Sequence, residues 1–114
     1  MIARLIDTIK LRKMTKNDLN QVIAIEKKSY DFAWSDAVLK DCLFNKYDCY
    51  VAGDDNILGY MISKITNQDS HILNLTIDSD YRGLGIGSSL LDLMIKECKL
   101  HRSEYIYFCL LYTS

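Results

Sequence analysis

The sequence predicts an α/β fold: one mixed sheet with helices against it, in the order β-α-α-β-β-β-α-β. Three observations predict it. Segments with alternating apolar and polar residues are separated by stretches whose apolar residues recur every three or four positions. A Gly-Asp-Asp-Asn turn at 53–56 joins two of the strand-like segments as a hairpin. A strand-like run at 71–77 passes through an Asp-Ser-Asp corner and a glycine-rich loop into a long apolar-striped helix, and a further strand follows. A strand–helix–strand crossover of this kind places the last strand parallel to its predecessor, with the usual right hand.

The chain of 114 residues is one domain's worth of sequence, about half apolar and a quarter charged, as ordinary globular chains are. Its formal net charge is −1, with acids and bases interspersed and no basic tract. The sequence therefore offers no electrostatic footprint for a nucleic-acid duplex. No apolar run approaches a membrane span, so no membrane partner is expected. The first residues carry internal charge and no small-residue cleavage site, so they read as a strand and not as a signal peptide. Cys42, Cys49, Cys98 and Cys109 have no paired C-x-x-C spacing and read as buried free thiols in a reducing, cytoplasmic setting. His71 and His101 join no cluster with ligand spacing, and no metal site is expected. Proline is absent; Asp, Asn, Ser and Gly serve the turns instead.

The first strand is expected over 7–13, with Ile6, Ile9 and Leu11 toward the core. Thr15 caps the first helix, expected over 16–28, with Asp18 in capping-box position. Its stripe is Leu19, Val22, Ile23 and Ile25; Glu26 is expected at the edge of that face. Residues 29–34, Ser-Tyr-Asp-Phe-Ala-Trp, break the helical period. Phe32 and Trp34 read equally well as a plug between helices and sheet or as the aromatic wall of a substrate cleft. Ser35 caps a second helix with Val38, Leu39, Cys42 and Leu43 on its inner side. Strands follow at 47–52 and 57–65, with Gly59 a bulge or close-packing point. The fourth strand covers 71–77. The long helix runs over 86–100, burying Ile86, Leu90, Leu91, Met94, Ile95 and Cys98, and a fifth strand covers 104–111.

The loop between the fourth strand and the long helix, Arg82-Gly83-Leu84-Gly85-Ile86-Gly87-Ser88, carries the chemistry. It lacks the Gly-Lys-Ser/Thr ending of a Walker loop and the acidic partner of a dinucleotide fingerprint. A glycine-rich helix start nonetheless leaves backbone N–H groups uncovered, and the helix dipole adds to them, so the loop suits a phosphate. Asp78 and Asp80, at the corner before it, read as residues that bond their own backbone.

The same residues match the Gln/Arg-x-x-Gly-x-Gly/Ala signature of the GNAT acyl-CoA-dependent N-acyltransferase superfamily. The wider run at 74–91 resembles the ribosomal-protein-alanine N-acetyltransferase family, as do the segment at 11–26 and the aromatic loop at 29–34, where Ala33 replaces a common proline. The resemblance implies the GNAT fold and transfer of acetyl from acetyl-CoA to the N-terminal alanine amine of a ribosomal protein. It implies that Leu75, Thr76 and Ile77 meet the thioester and pantetheine arm through their backbone. Arg82, Gly83, Leu84, Gly85, Ile86, Gly87 and Ser88 would cradle the pyrophosphate, and Phe32 and Trp34 would shape the acceptor side.

The family's general base is a Glu on the fifth strand, and the alignment puts Cys109 at its position. The Tyr that serves the family as acid, the last helix and the two final strands have no counterpart, so no catalytic residue is assigned. Residues 109–114, Cys-Leu-Leu-Tyr-Thr-Ser, are out of character with the family and resemble a translated sequencing adapter, a non-native tail. The fifth strand would then present an unpaired apolar edge through which the chain self-associates.

Overall fold

The structure is a computed structural model that describes residues 9–108. Its elements follow the expected order. The first strand, β1, is Leu11–Lys13; a 3-10 turn at Lys16–Asp18 leads into helix α1, Leu19–Ser29, and helix α2 is Asp36–Phe44. Strands β2 (Asp48–Gly53), β3 (Ile57–Lys64) and β4 (Asp69–Ile77) form a meander. A second 3-10 turn at Ser79–Tyr81 precedes helix α3, Ile86–Leu100, and β5 is Tyr105–Phe108. The sheet runs β1-β2-β3-β4-β5, antiparallel except for the parallel β4–β5 pair.

Local chemistry explains the boundaries. The Asp18 carboxylate accepts from the Thr15 N–H at 2.8 Å, as a capping box requires, yet the first turn is 3-10 and the α-helix begins only at Leu19. Ser35 Oγ accepts from the Val38 N–H and starts α2. Gly53, at φ +114°, makes the hairpin turn; a Cβ there would stand 2.1 Å from the Asn56 carbonyl oxygen. The expected first strand is shorter than predicted, with Ile6 and residues 7–8 outside the described residues, as are 109–111 of the expected fifth.

Helices cover both faces. On one side Val22 and Ile25 of α1 and Leu39 and Cys42 of α2 pack on Cys49, Val51, Tyr60 and Ile62. On the other, Ile86, Leu90, Met94 and Cys98 of α3 pack on Tyr50, Ala52, Met61 and Ile72. Three stripe assignments are corrected. Val38 and Ile95 are exposed, because each lies at the margin of a helical face too narrow to reach the sheet. Glu26, expected at the rim, is wholly buried with Val22 and Ile25.

Candidate active site

The glycine loop divides into two kinds of glycine. Gly83 and Gly85 have φ of +78° and +86°, a conformation that side chains strain to adopt, and Gly85 is the N-cap of α3. A Cβ at either would meet nothing within 4 Å, so the loop's outer side is open. Gly87 is helical, and a Cβ there would make only an ordinary 3.8 Å contact with Ile77 Cγ1. The helix ladder starts with the Ser89 N–H donating to Gly85 O at 3.0 Å. Among the described residues no side chain is hydrogen-bonded to the N–H groups of Gly83, Leu84, Gly85, Ile86, Gly87 or Ser88. Buried Ile86 anchors the loop, while Arg82, Leu84 and Ser88 stay exposed. Arg82 Nε donates to Ile77 O at 3.2 Å, which holds a cation beside the bare amides. The electrostatics are those of an anion cradle: uncapped donors, a 15-residue helix dipole and a nearby guanidinium.

The strand leading to this loop pairs with β5 over only its first half among the described residues. Its pairing with β5 runs from Asp69↔Tyr105 to Ile72↔Phe108. Among the described residues, then, the outer edge of 73–77 has no strand partner. A bulge at Leu73, between the pairs Ser63↔Ile72 and Ile62↔Asn74, changes which side chains face which helix layer. Beyond it Thr76 turns its side chain inward, while Leu75 and Ile77 pack toward α3. What Leu75, Thr76 and Ile77 offer along that edge is therefore backbone.

Behind the edge lies a buried polar network that sequence reasoning missed. Glu26 Oε1 accepts from the Tyr60 hydroxyl and, at 2.8 Å, from Asn74 Nδ2; Oε2 accepts from the Trp34 N–H at 2.9 Å. Thr76 Oγ1 donates to Asn74 Oδ1 at 2.7 Å, and its oxygen lies 2.8 Å from the Tyr30 hydroxyl. Burial, with the Glu26 carboxylate second, pushes the Tyr60 phenol far above its ordinary value. The signal was present: Leu19, Val22 and Glu26 are spaced three and four apart, which centres the glutamate on the inner face.

At the mouth, Lys28 Nζ sits 2.7 Å from Asp78 Oδ1 and 3.6 Å from Asp80 Oδ2. Asp78 Oδ1 also accepts from the Asp80 N–H, the corner role expected of it. The hydrogen bond from Lys28 holds the Asp78 carboxyl below the usual carboxylate range. Phe32 is 91% exposed, which overturns the plug reading for it: its loop swings the ring outward past the core. Trp34 is half-buried against the α1–α2 side. Cys42, Cys49 and Cys98 are buried free thiols, and burial pushes Cys49 up to about 12, which leaves Cys49 itself no thiolate for nucleophilic work. Cys109 lies outside the described residues.

With this geometry in hand, comparison with known proteins is specific. The sequence profile of the acetyltransferase (GNAT) family matches residues 19–112. The chain is 30% identical over 92 residues to a Bacillus subtilis protein provisionally named a ribosomal protein bS18-alanine N-acetyltransferase, covering 78% of this chain and 61% of that protein. It is also 30% identical over 83 residues to an uncharacterised N-acetyltransferase of Methanocaldococcus jannaschii, covering 71% and 53%. The chain thus spans between half and two thirds of the length of these relatives. Among solved structures, the ribosomal-protein-S18-alanine N-acetyltransferase of Escherichia coli superposes with a TM-score of 0.74 at 20% identity, over 82% of this chain and 61% of that one, a likeness of fold.

Proposed function

The chain belongs to the acetyltransferase (GNAT) family, and from that premise we propose that it serves an N-acetyltransferase that moves acetyl from acetyl-CoA to the N-terminal alanine amine of a ribosomal protein. The observation that carries the reading is the run of uncapped amides at the mouth of α3, with the 73–77 end of β4, which has no strand partner among the described residues, leading into them. A coenzyme thioester has a matching layout. Its pyrophosphate suits the amides of 83–88 with Arg82 beside them, and its amide-containing pantetheine arm suits the backbone of Leu75, Thr76 and Ile77. The co-substrate brings the activated acetyl group; the described residues bind the carrier, orient it and keep its reacting end at the strand edge.

The reaction is direct transfer. The acceptor nitrogen forms a bond to the thioester carbonyl carbon, the carbon–sulfur bond breaks, and the thiolate leaves with a proton. An α-amine has an ordinary pKa near ~8, so only one readily lost proton stands between it and attack. The oxyanion of the tetrahedral intermediate requires N–H donors, which the backbone at the end of β4 supplies in this reading. Phe32 and Trp34 shape the acceptor side in this reading. No cysteine is needed as nucleophile, and Glu26 has both oxygens occupied by donors.

The test is a mass-spectrometric assay with acetyl-CoA and a peptide beginning with alanine. A single acetyl gain on the peptide's N-terminus is expected, at a rate that rises with pH until the amine is neutral, near ~8. Peptides left unmodified at every pH, and under conditions where CoA binds, would remove the reading. One observation favours a second one: the family's base position falls at Cys109, so the chain binds CoA without transferring acetyl. Calorimetric CoA binding together with inertness toward alanine, lysine and small-molecule amines would select it.

A further inference from the structure

Glu26 is a carboxylate buried to 1% exposure on a helix face otherwise apolar, and among the described residues no cation pairs with it. Burying such a group is unfavourable by several kcal/mol unless its oxygens are filled with donors. They are filled, and from three different elements: Tyr60 of β3, Asn74 of β4 and the backbone N–H of Trp34 in the aromatic loop. Only an acceptor-only group with two oxygens can take all three. A glutamine has one acceptor oxygen and would aim an NH2 at one of these donors.

The proton positions in the network follow. Thr76 has one hydroxyl proton and gives it to Asn74 Oδ1, so the Tyr30 hydroxyl must donate to Thr76 Oγ1. Asn74 is then fixed with its NH2 toward Glu26. The result is a closed clasp. One end grips the loop through Tyr30 and the other through the Trp34 N–H, and both close on Asn74 and Thr76, the inward side chains near the end of β4.

We propose that Glu26, with Tyr30 at the far end of the network, is the positioning residue of the acceptor side, fixing the Phe32–Trp34 loop against the C-terminal end of β4. The proposal rests on the acetyl-transfer reading for its functional consequence, and on the clasp alone for its structural one. An incoming peptide N-terminus must fit between the loop and the edge. The clasp sets that gap without touching the acyl carrier, whose cradle at 83–88 shares none of these hydrogen bonds.

The experiment exploits Trp34, the only tryptophan in the chain. Acrylamide quenching of its fluorescence is measured in the wild-type chain, Glu26→Gln and Tyr30→Phe, alongside far-UV circular dichroism and CoA calorimetry. Kinetics with acetyl-CoA and an alanine-N-terminal pentapeptide accompany them. In Glu26→Gln the quenching constant is expected to rise about two-fold and the peptide KM about ten-fold. The KM for acetyl-CoA and the Kd for CoA should stay within about two-fold. Tyr30→Phe should move the same quantities in the same direction by less. Unchanged quenching in a folded Glu26→Gln overturns the proposal, as does an equal loss for peptide and CoA. If Glu26→Gln does not fold, Tyr30→Phe decides by the same criteria. A quenching rise in a chain that acetylates no amine would refute the transfer reading while the clasp stands.

Discussion

Gly87 is the residue at which binding can be separated from folding. Gly83 and Gly85 occupy positive φ, so any side chain there strains the loop whether or not a ligand visits it. Gly87 is helical with room for a methyl group, and alanine is intrinsically favoured over glycine in a helix by about 1 kcal/mol. Gly87→Ala should therefore leave the melting temperature unchanged or slightly raised, while CoA affinity measured by calorimetry drops about ten-fold as the methyl group covers the cradle. Equal affinities would indicate that no phosphate approaches this turn. A second residue-scale prediction concerns Asp18. Arg12 donates to it through both terminal nitrogens, at 2.7 and 2.8 Å, and Thr15 adds its N–H. The guanidinium holds the Asp18 carboxyl below its ordinary value. A depressed folded pKa stabilises above the unfolded value of ~3.9 and is lost as pH falls through the folded one. Thermal melts should thus fall more steeply below about pH 4 in the wild type than in Asp18→Asn, which at neutral pH should be about 2 kcal/mol less stable. Parallel pH profiles for the two would exclude the pair as their cause.

At the scale of elements, β3 and β4 approach closely at Gly59. A Cβ on it would stand 2.6 Å from Ile77 Cδ1 and 3.0 Å from the Thr76 carbonyl oxygen. The isoleucine tip can swing aside; the strand backbone has no such freedom. Gly59→Ala is expected to lower stability by about 1–3 kcal/mol in urea titration and to weaken CoA binding too, because it pushes on Thr76 and Ile77 at the end of β4. Destabilisation without any effect on binding would separate the strand's position from the site. The bulge at Leu73 matters for the same reason. It changes the facing of β4 midway, so that Asn74 and Thr76 reach the α1 side while Leu75 and Ile77 stay with α3.

At the scale of the molecule, two helical layers enclose the middle of the sheet, and among the described residues nothing pairs with the outer side of β5. Tyr105, Tyr107 and Phe108 are exposed on that strand, and Leu100 lies exposed just before it. His71 stacks on Tyr107 across the β4–β5 pair with ring centroids 5.3 Å apart. An apolar edge of this sort invites strand pairing with another chain. The chain is expected to sediment with a concentration-dependent increase in size, and Tyr107→Lys should suppress it. A monomer at every concentration would show that the edge does not pair. Among the described residues no helix is long and apolar enough to cross a membrane.

Element type and order were legible in the sequence because they rest on local periodicity and turn chemistry. Residues 86–100 show one uninterrupted helical stripe, and the Gly-Asp-Asp-Asn turn declares its hairpin. The glycine-rich entry to the long helix was legible too, since it is a contiguous stretch of sequence. The network around Glu26 was not. Its members lie at 26, 30, 34, 60, 74 and 76; Trp34 and Thr76 were expected in other roles, while Glu26 read as a rim glutamate, Tyr60 as a strand tyrosine and Asn74 as a polar residue in a strand. What joins them is the stacking of α1 on the sheet and one extra residue in β4, which bring one carboxylate within reach of three donors. Backbone donors near each other in sequence announce themselves; a buried charge is explained only by partners that folding brings from far along the chain.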